Sequence, residues 1–470
     1  MSDTFRSLRR LHARLVGGLA LPLIFPALAA AGGDLATPPS PVPLVAGTDT
    51  GTAPAQEIVA LPGAAAEAAP APAAAGNDAA SAQPADTVQT LALADCIRMA
   101  LDQQPGLAAQ RASLASAESG QRALDDLRIP TFIDRELPYR RQQACLGVAV
   151  AAAAVEQAER DTTYAVTRTY FTVLYARQQE RVAARVVRDL SDALANARRL
   201  LGKEGAPRDL TQNSVDKNRT YLRLAEARQV DAQQGVERAL AALREAMGVA
   251  PNFSFTIADR DIPTPKVDIA RADMVALALA RRGELIQANT LAAITALEVD
   301  AQGTSHHPKK MTFAAGADIH SRAVPPDISN QEYRPGGIPP EMPTTLVGSR
   351  SARMEHARDL SARASAVADK TRGLIALEAE DTYLRWQEAS RKVPITREAN
   401  DVSKKLADDT LNDFKGGQNV PYKDVLEALV ISAQAGSAYN EARYQYVLGL
   451  AALERITGGG FSAGLAEAAK

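Results

Sequence analysis

The sequence predicts a mainly α protein of long antiparallel coiled-coil helices in two structural repeats. Three observations carry this. Apolar residues recur at steps of three and four over stretches far longer than a globular core needs. Alanine is abundant while aromatics make up only 4% of the 470 residues, a composition that favours helix over sheet. Finally, three patterns occur twice in the same order. Asp95-x4-Ala100-Leu101-x5-Leu107 recurs from Asp273, Thr169-Tyr170-Phe171 as Thr382-Tyr383-Leu384, and Leu240-Ala241-Ala242-Leu243 with Gly248 as Leu450-Ala451-Ala452-Leu453 with Gly458. Offsets of 178, 213 and 210 residues mark a duplication.

Residues 1–31 read as a secretory signal peptide. Arg6, Arg9, Arg10 and Arg14 precede an apolar run from Leu15 to Ala29, and Ala27-Leu28-Ala29 or Ala29-Ala30-Ala31 supplies a small-x-small cleavage site. Residues 32–88 are Ala, Pro, Gly and Thr with almost no large apolar side chains, too little to bury for an ordered fold. The first helical repeat spans 89–250. It opens with a helix over 89–128, capped at Thr90 and kinked or broken at Pro105. After a short bridge at 131–139, a helical pattern runs from about Arg140 to Leu201, roughly 90 Å of helix. A turn around Gly202 and Gly205 leads to a return helix ending at Met247. A linker at 251–266 follows, with a short strand at Phe253 to Ile257.

The second repeat spans 267–458. A helix is expected from about Arg271 to Gln302, then a loop and strand insert at 303–350. Met311 to His320 alternates like a strand, and Thr344 to Val347 reads as another. A second long helix runs from about Arg350 to Phe414, with a kink expected near Pro394. Gly416 and Gly417 turn the chain into the closing helix, on which Val425, Leu429, Ala435, Tyr439, Ala442, Tyr446, Leu450 and Leu453 form a packing seam. Residues 459–470 read as a disordered tail.

In order and spacing these elements resemble the TolC-like outer-membrane efflux channels. Leu91, Ala94, Ala100-Leu101, Pro105 and Leu107 match the opening pattern, and Leu127-Arg128-Ile129-Pro130 closes the first helix. Phe414, Gly417, Asp424-Val425-Leu426-Glu427-Ala428, Tyr439, Ala442, Tyr446, Leu450 and Thr457-Gly458 match the tip signature. The resemblance covers about residues 89–458. It implies a homotrimer in the outer membrane, facing the periplasm, which it crosses as a hollow α-barrel. Its tips would meet a periplasmic adaptor (membrane fusion) protein and an inner-membrane RND or ABC pump. The chain itself would be a passive conduit for efflux or type I secretion. The family's β-barrel takes four strands per chain, but residues 131–139 cannot hold two strands of about 9–11 residues. The β portion is therefore reduced, which leaves a second reading: a periplasmic coiled-coil scaffold or adaptor-like protein of the same fold.

The tip residues singled out are Asp424 and Glu427. Spaced by three, they share a helix face. The resemblance places them at the periplasmic constriction, where three copies would make a ring of six carboxylates that favours cations and resists closure at high pH. Acidic residues in a first helical turn are also favoured by the helix dipole alone. Asp209 or Ser214 is the nearest counterpart in the first copy. Gly202, Gly205, Gly416 and Gly417 are turn glycines and candidate adaptor contacts. Trp386 and tyrosines 170, 383, 439, 444 and 446 are read as core. His306-His307 has no cysteine or carboxylate at ligand spacing, so no metal is expected, and Cys96 and Cys145 lie too far apart along antiparallel helices for a disulfide. Enzyme motifs and cofactor fingerprints are absent. A net charge of −2 supplies no basic field for nucleic acid.

Overall fold

The computed structural model describes residues 89–468 except 131, 204–205, 305–306, 314–344 and 419. The expected signal peptide, the 32–88 segment, Gly205, His306 and most of the Met311–His320 strand lie outside the described residues. Two copies of one unit follow each other. The first comprises β1 (Gln89–Leu91), α1 (Leu93–Gln103), α2 (Pro105–Asp125), α3 (Leu137–Leu200) and α4 (Gln212–Met247). The second comprises β2 (Phe255–Ile257), α5 (Arg271–Arg281), α6 (Gly283–Gly303), the pair β3 (Lys309–Met311) and β4 (Thr345–Val347), α7 (Arg350–Lys415) and α8 (Tyr422–Ile456), with a final turn of helix α9 (Leu465–Ala468). Corresponding helices have 11 and 11, 21 and 21, 64 and 66, and 36 and 35 residues. The duplication inferred from three sequence matches is thus carried by every helix except the short α9.

α3 packs on α4 and α7 on α8 as long hairpins; α3 also contacts α8, and α6 lies against both α3 and α7. β1 and β2 pair in parallel, Gln89 opposite Phe255 and Leu91 opposite Ile257, so each repeat begins on the other. The largest core lies around this ladder. Val166, Tyr170, Phe171 and Leu174 of α3 meet Leu243 and Met247 of α4, Trp386 of α7, and Val447, Leu450 and Leu453 of α8. A second core, with Leu190 and Leu194 of α3, Leu222 of α4, Leu411 and Phe414 of α7 and Tyr422, Val425 and Leu429 of α8, closes the far end of both hairpins.

The segment after β2 is irregular, yet side chains from three long helices strap it down. Tyr170 donates its hydroxyl to Asp259, and Gln178 donates to Asp261 Oδ1 at 2.7 Å. Arg443 and Tyr446 donate to the carbonyls of Ile262 and Pro265, and Tyr383 to that of Ile269 at 3.2 Å. Tyr170, Tyr383 and Tyr446 therefore combine core packing with a polar role that helical spacing alone does not reveal. Tyr444 stacks on Tyr175 and its hydroxyl lies 2.8 Å from that of Thr172, while Tyr439 is only half-buried.

Several expectations need correction. Thr90 is no cap: it sits in β1, and the N-cap is Ala92, whose N–H is accepted by the Asp95 carboxylate. The helix expected over 271–302 is two helices. Arg282 is extended between them, and its buried guanidinium pairs with Glu284 at 2.6 Å and Glu378 at 3.2 Å. α7 runs through Pro394 as one helix. The proline removes one donor, but the Ser390 carbonyl that loses it belongs to a half-exposed residue, and packing on α8 holds both sides. Residues 459–468 are not a loose tail. Leu465 is buried in the main core, with Phe461 and Ala463 against it, and the Phe461 N–H reaches Thr457 Oγ1 at 3.2 Å. Both cysteines are free; Cys96 is buried, and burial pushes its thiol up to about 12, whereas Cys145 is exposed.

One joint is made twice. The return helix of each repeat ends on a glycine in the left-handed region, Gly248 (φ 71°) after α4 and Gly458 (φ 58°) after α8. A Cβ at Gly248 would lie 2.8 Å from Gln104 Cα, at the break between α1 and α2. One at Gly458 would lie 2.8 Å from the Arg281 carbonyl oxygen, at the break between α5 and α6. Gly202 has the same backbone (φ 78°) but open space around it. Gly202→Ala is therefore expected to cost only the left-handed strain, about 1–2 kcal/mol. Gly248→Ala adds backbone overlap, a further ~1–3 kcal/mol. Denaturant midpoints of the two variants check this, with Gly248→Ala the less stable.

Candidate functional site at the hairpin tips

The far ends of the two hairpins form one polar-rimmed unit. α3 ends at Leu200 and α4 begins at Gln212, where Thr211 and Ser214 form a reciprocal capping box. α7 ends at Lys415, Gly416 closes it in ordinary right-handed backbone (φ −71°), and Gly417 reverses the chain at φ 80°. Of the turn glycines expected here, Gly202 and Gly417 are demanded by backbone geometry and Gly416 is not. Pro421 then leads into α8, with its carbonyl accepting from Asp424 N at 3.0 Å.

Asp424 and Glu427 lie as the spacing predicts, exposed on one side of the first turns of α8, while Tyr422, Val425, Leu426, Ala428 and Leu429 are buried beneath. Their first-copy counterparts are otherwise employed. Ser214 is committed to the capping box of α4. Asp209 reaches across to the other hairpin, and its Oδ2 accepts from the backbone N–H of Lys423 at 2.8 Å. This carboxylate caps α8 from outside its own repeat, satisfying a first-turn donor and opposing the positive end of the helix dipole.

Two further contacts join the hairpins at the same level. Asn218 of α4 is fully buried and donates to the Tyr422 hydroxyl at 2.5 Å and to the Leu190 carbonyl at 3.3 Å. Burial pushes the Tyr422 phenol up to about 12, outweighing the Asn218 hydrogen bond, so it stays neutral. The Tyr422 ring lies 5.2 Å from that of Phe414. Outside, Lys415 pairs with Asp192 at 2.7 Å; exposed pairs of this kind contribute about 0–1 kcal/mol. Sequence reading missed this clamp. The one signal available was polar Asn218 on the apolar face of α4.

The opposite end of the hairpins is held by buried charge. Glu298 of α6 accepts from Arg140 at 2.5 and 3.1 Å, from Gln143 at 3.0 Å, from Gln302 at 2.7 Å and from Phe313 N at 3.1 Å. Burial alone would raise its carboxyl, but the Arg140 hydrogen bonds and charge, with Gln302 and Gln143, hold it below the usual carboxylate range. Arg353, fully buried on α7, donates to the carbonyls of His307, Gly348 and Gln302. These contacts root the β3–β4 pair on the helices. His307 thus enters through its backbone carbonyl.

The sequence matches no protein-family model, and no curated protein matches it. Solved structures do. The outer-membrane channel OprN superposes with a TM-score of 0.62 at 15% identity, covering 78% of this chain and 90% of that one. The open state of the MtrE outer-membrane channel of Neisseria gonorrhoeae gives 0.62 at 14%, covering 79% and 90%. VceC, an outer-membrane protein of Vibrio cholerae, gives 0.59 at 15%, covering 79% and 97%. The fold is that of the TolC-like outer-membrane channels. At such low identity the likeness is one of fold, and it extends over nearly the whole length of each channel.

The clamp gives a local expectation. Asp209→Ala removes an N-terminal cap from α8, which costs about 1 kcal/mol. Hydrogen exchange should speed up at Lys423 and its neighbours in the first turn of α8, while amides around Leu450 keep their protection. Uniform loss of protection would show that the contact is global rather than a cap.

Proposed function

We infer that the chain is the outer-membrane duct of an efflux or type I secretion assembly, a homotrimeric passive conduit fed by an inner-membrane pump through a periplasmic adaptor. The observation that carries this, beside the channel fold, is an uncovered apolar stripe on α7. Leu377, Leu384, Ile395, Val402 and Leu406 are all exposed. At 3.6 residues per turn their spacings of 7, 11, 7 and 4 bring all five to one side of the helix. An exposed line of this kind on a single protomer marks a protein interface. Leu224 and Val230 of α4, also exposed, supply apolar surface for a neighbouring copy. A heterologous contact repeated around an axis closes into a ring, and a ring of hairpins encloses a lumen.

In that ring Asp424 and Glu427 stand at the tips, the end that meets the adaptor, and three copies give six carboxylates at the entrance. Gly202 and Gly417 shape the turns that the adaptor would touch. The scaffold reading draws on a different observation. β3 and β4 have three residues each, and between α2 and α3 the described residues hold no strand, whereas a membrane strand needs about 9–11.

Two measurements test the proposal. In planar bilayers the trimer should pass a cation-selective current, and Asp424→Asn with Glu427→Asn should lower the cation-to-anion permeability ratio severalfold. Unchanged selectivity removes these residues from the constriction. A correctly assembled trimer without current leaves the scaffold. In light scattering, Ile395→Lys with Val402→Lys should convert trimer to monomer with helical content retained; a persisting trimer means the stripe faces elsewhere.

A further inference from the structure

The three most exposed large apolar side chains among the described residues are Phe132 (77%), Met311 (72%) and Ile133 (68%). All three lie at one end of the molecule, opposite the acidic tips. Phe132 and Ile133 belong to the connection between α2 and α3, which also exposes Leu127 and Ile129. Met311 ends β3, and its carbonyl is held by Arg140 Nη2 at 2.9 Å near the start of α3. On β4, Val347 is exposed in the same way, while Leu346 between its neighbours is buried.

We propose that the α2–α3 connection is an interfacial membrane anchor, whose Leu127, Ile129, Phe132 and Ile133 side chains insert into the acyl-chain boundary of a lipid bilayer. Its occupant is lipid rather than protein for two reasons. The apolar side chains crown the end of the long helices instead of forming a stripe along them, so they meet a surface perpendicular to the hairpins. Two of the acidic groups beside them are paired within the chain. Glu136 is paired with Arg140 at 3.3 Å and with Lys310, and Asp125 lies 3.9 Å from Arg141. A paired charge approaches a low-dielectric layer at less desolvation cost than a lone one, and Asp126 and Asp134 on the connection are matched in number by Arg128 and Arg135, which leaves little net charge for a protein partner to complement. Leu124, Asp125 and Leu127 also give their carbonyls to Arg141, the last at 2.6 Å, so these three acceptors are satisfied before any contact with lipid.

The anchor rests on the outer-membrane reading above and refines it. A trimer would present twelve such side chains in one plane, seating the first repeat on the membrane without the strands that its connection is too short to make. Shallow insertion of apolar side chains is the mode of monotopic anchors.

The test uses the full-length protein and zwitterionic phosphatidylcholine vesicles with brominated acyl chains. Trp386, the only tryptophan, is buried, so Phe132→Trp adds a reporter at the connection. Its emission should shift to the blue and lose at least half its intensity to the bromines, while Trp386 emission in the parent protein stays constant. Phe132→Asp with Ile133→Asp should reduce vesicle flotation severalfold with unchanged helical circular dichroism. A reporter that stays unquenched while the protein floats overturns the anchor. So does one that shifts with protein concentration in the absence of vesicles, which would mean that a second copy covers these residues. Either result leaves the duct itself to the conductance measurement.

Discussion

A 64-residue helix is about 95 Å long and has no core of its own. Its apolar stripe must be covered along its whole length, and most of its stability comes from that cover rather than from helix propensity. The rest of the chain follows from this. α4, with 36 residues, covers only the distal part of α3. The proximal part is left to α2, α6 and the short helix α1. α7 is served in the same way by α8, α6 and α5. A return helix too short to cover its partner must end partway along, and its end must be joined tightly to whatever continues the cover. Gly248 and Gly458 make that joint, each ending a return helix against the break between the two short helices of its own repeat. The third sequence match of the duplication, Leu-Ala-Ala-Leu followed by glycine, marks this point.

The same reasoning explains what could be read from the sequence. Long helices announce themselves because their stripe is continuous, and α3 and α7 are found within three residues of their expected ends. Their pairing into hairpins is legible from the turn glycines. The breaks at Gln104 and Arg282 differ in legibility. Pro105 signals the first, whereas the second depends on a buried guanidinium held between Glu284 and Glu378, which only the folded arrangement brings together. Pro394 carries the opposite lesson: a proline signal is overridden where tertiary packing holds the helix on both sides and water can serve the orphaned carbonyl. Residues 459–468 look disordered by composition, yet two apolar side chains, Phe461 and Leu465, suffice to fix them because a core lies within reach.

At the tip, the exposed carboxylates were legible and the clamp was not. Asp424 and Glu427 are singled out by the resemblance, and helical spacing puts them on one exposed face. Asp209, Asn218 and Tyr422 sit in different helices or turns, and their meeting is a property of the two hairpins packing side by side. That packing joins the repeats at both the ladder of β1 and β2 and the tips. The hairpins are therefore fixed to each other at two levels, with the strapped segment after β2 near the first.

The two ends of the molecule differ in the kind of surface they present, and the difference follows from how their backbone groups are satisfied. At the tips, turns expose peptide groups and carboxylates to water, and the apolar side chains Phe414, Tyr422 and Leu429 are turned inward. At the other end Glu298, Arg353 and Arg141 collect the free carbonyls and the charges into the interior or along the helix ends. Outward among the described residues stand Leu127, Ile129, Phe132, Ile133, Met311 and Val347, with the charged Asp126, Arg128, Arg135 and Lys309 exposed beside them. Burying Glu298 and Arg353 while large apolar side chains stand exposed inverts part of the usual order of a water-facing surface. Water alone would oppose that inversion. A bilayer at this end would favour it, because it rewards exposed apolar groups and penalises unpaired polar ones.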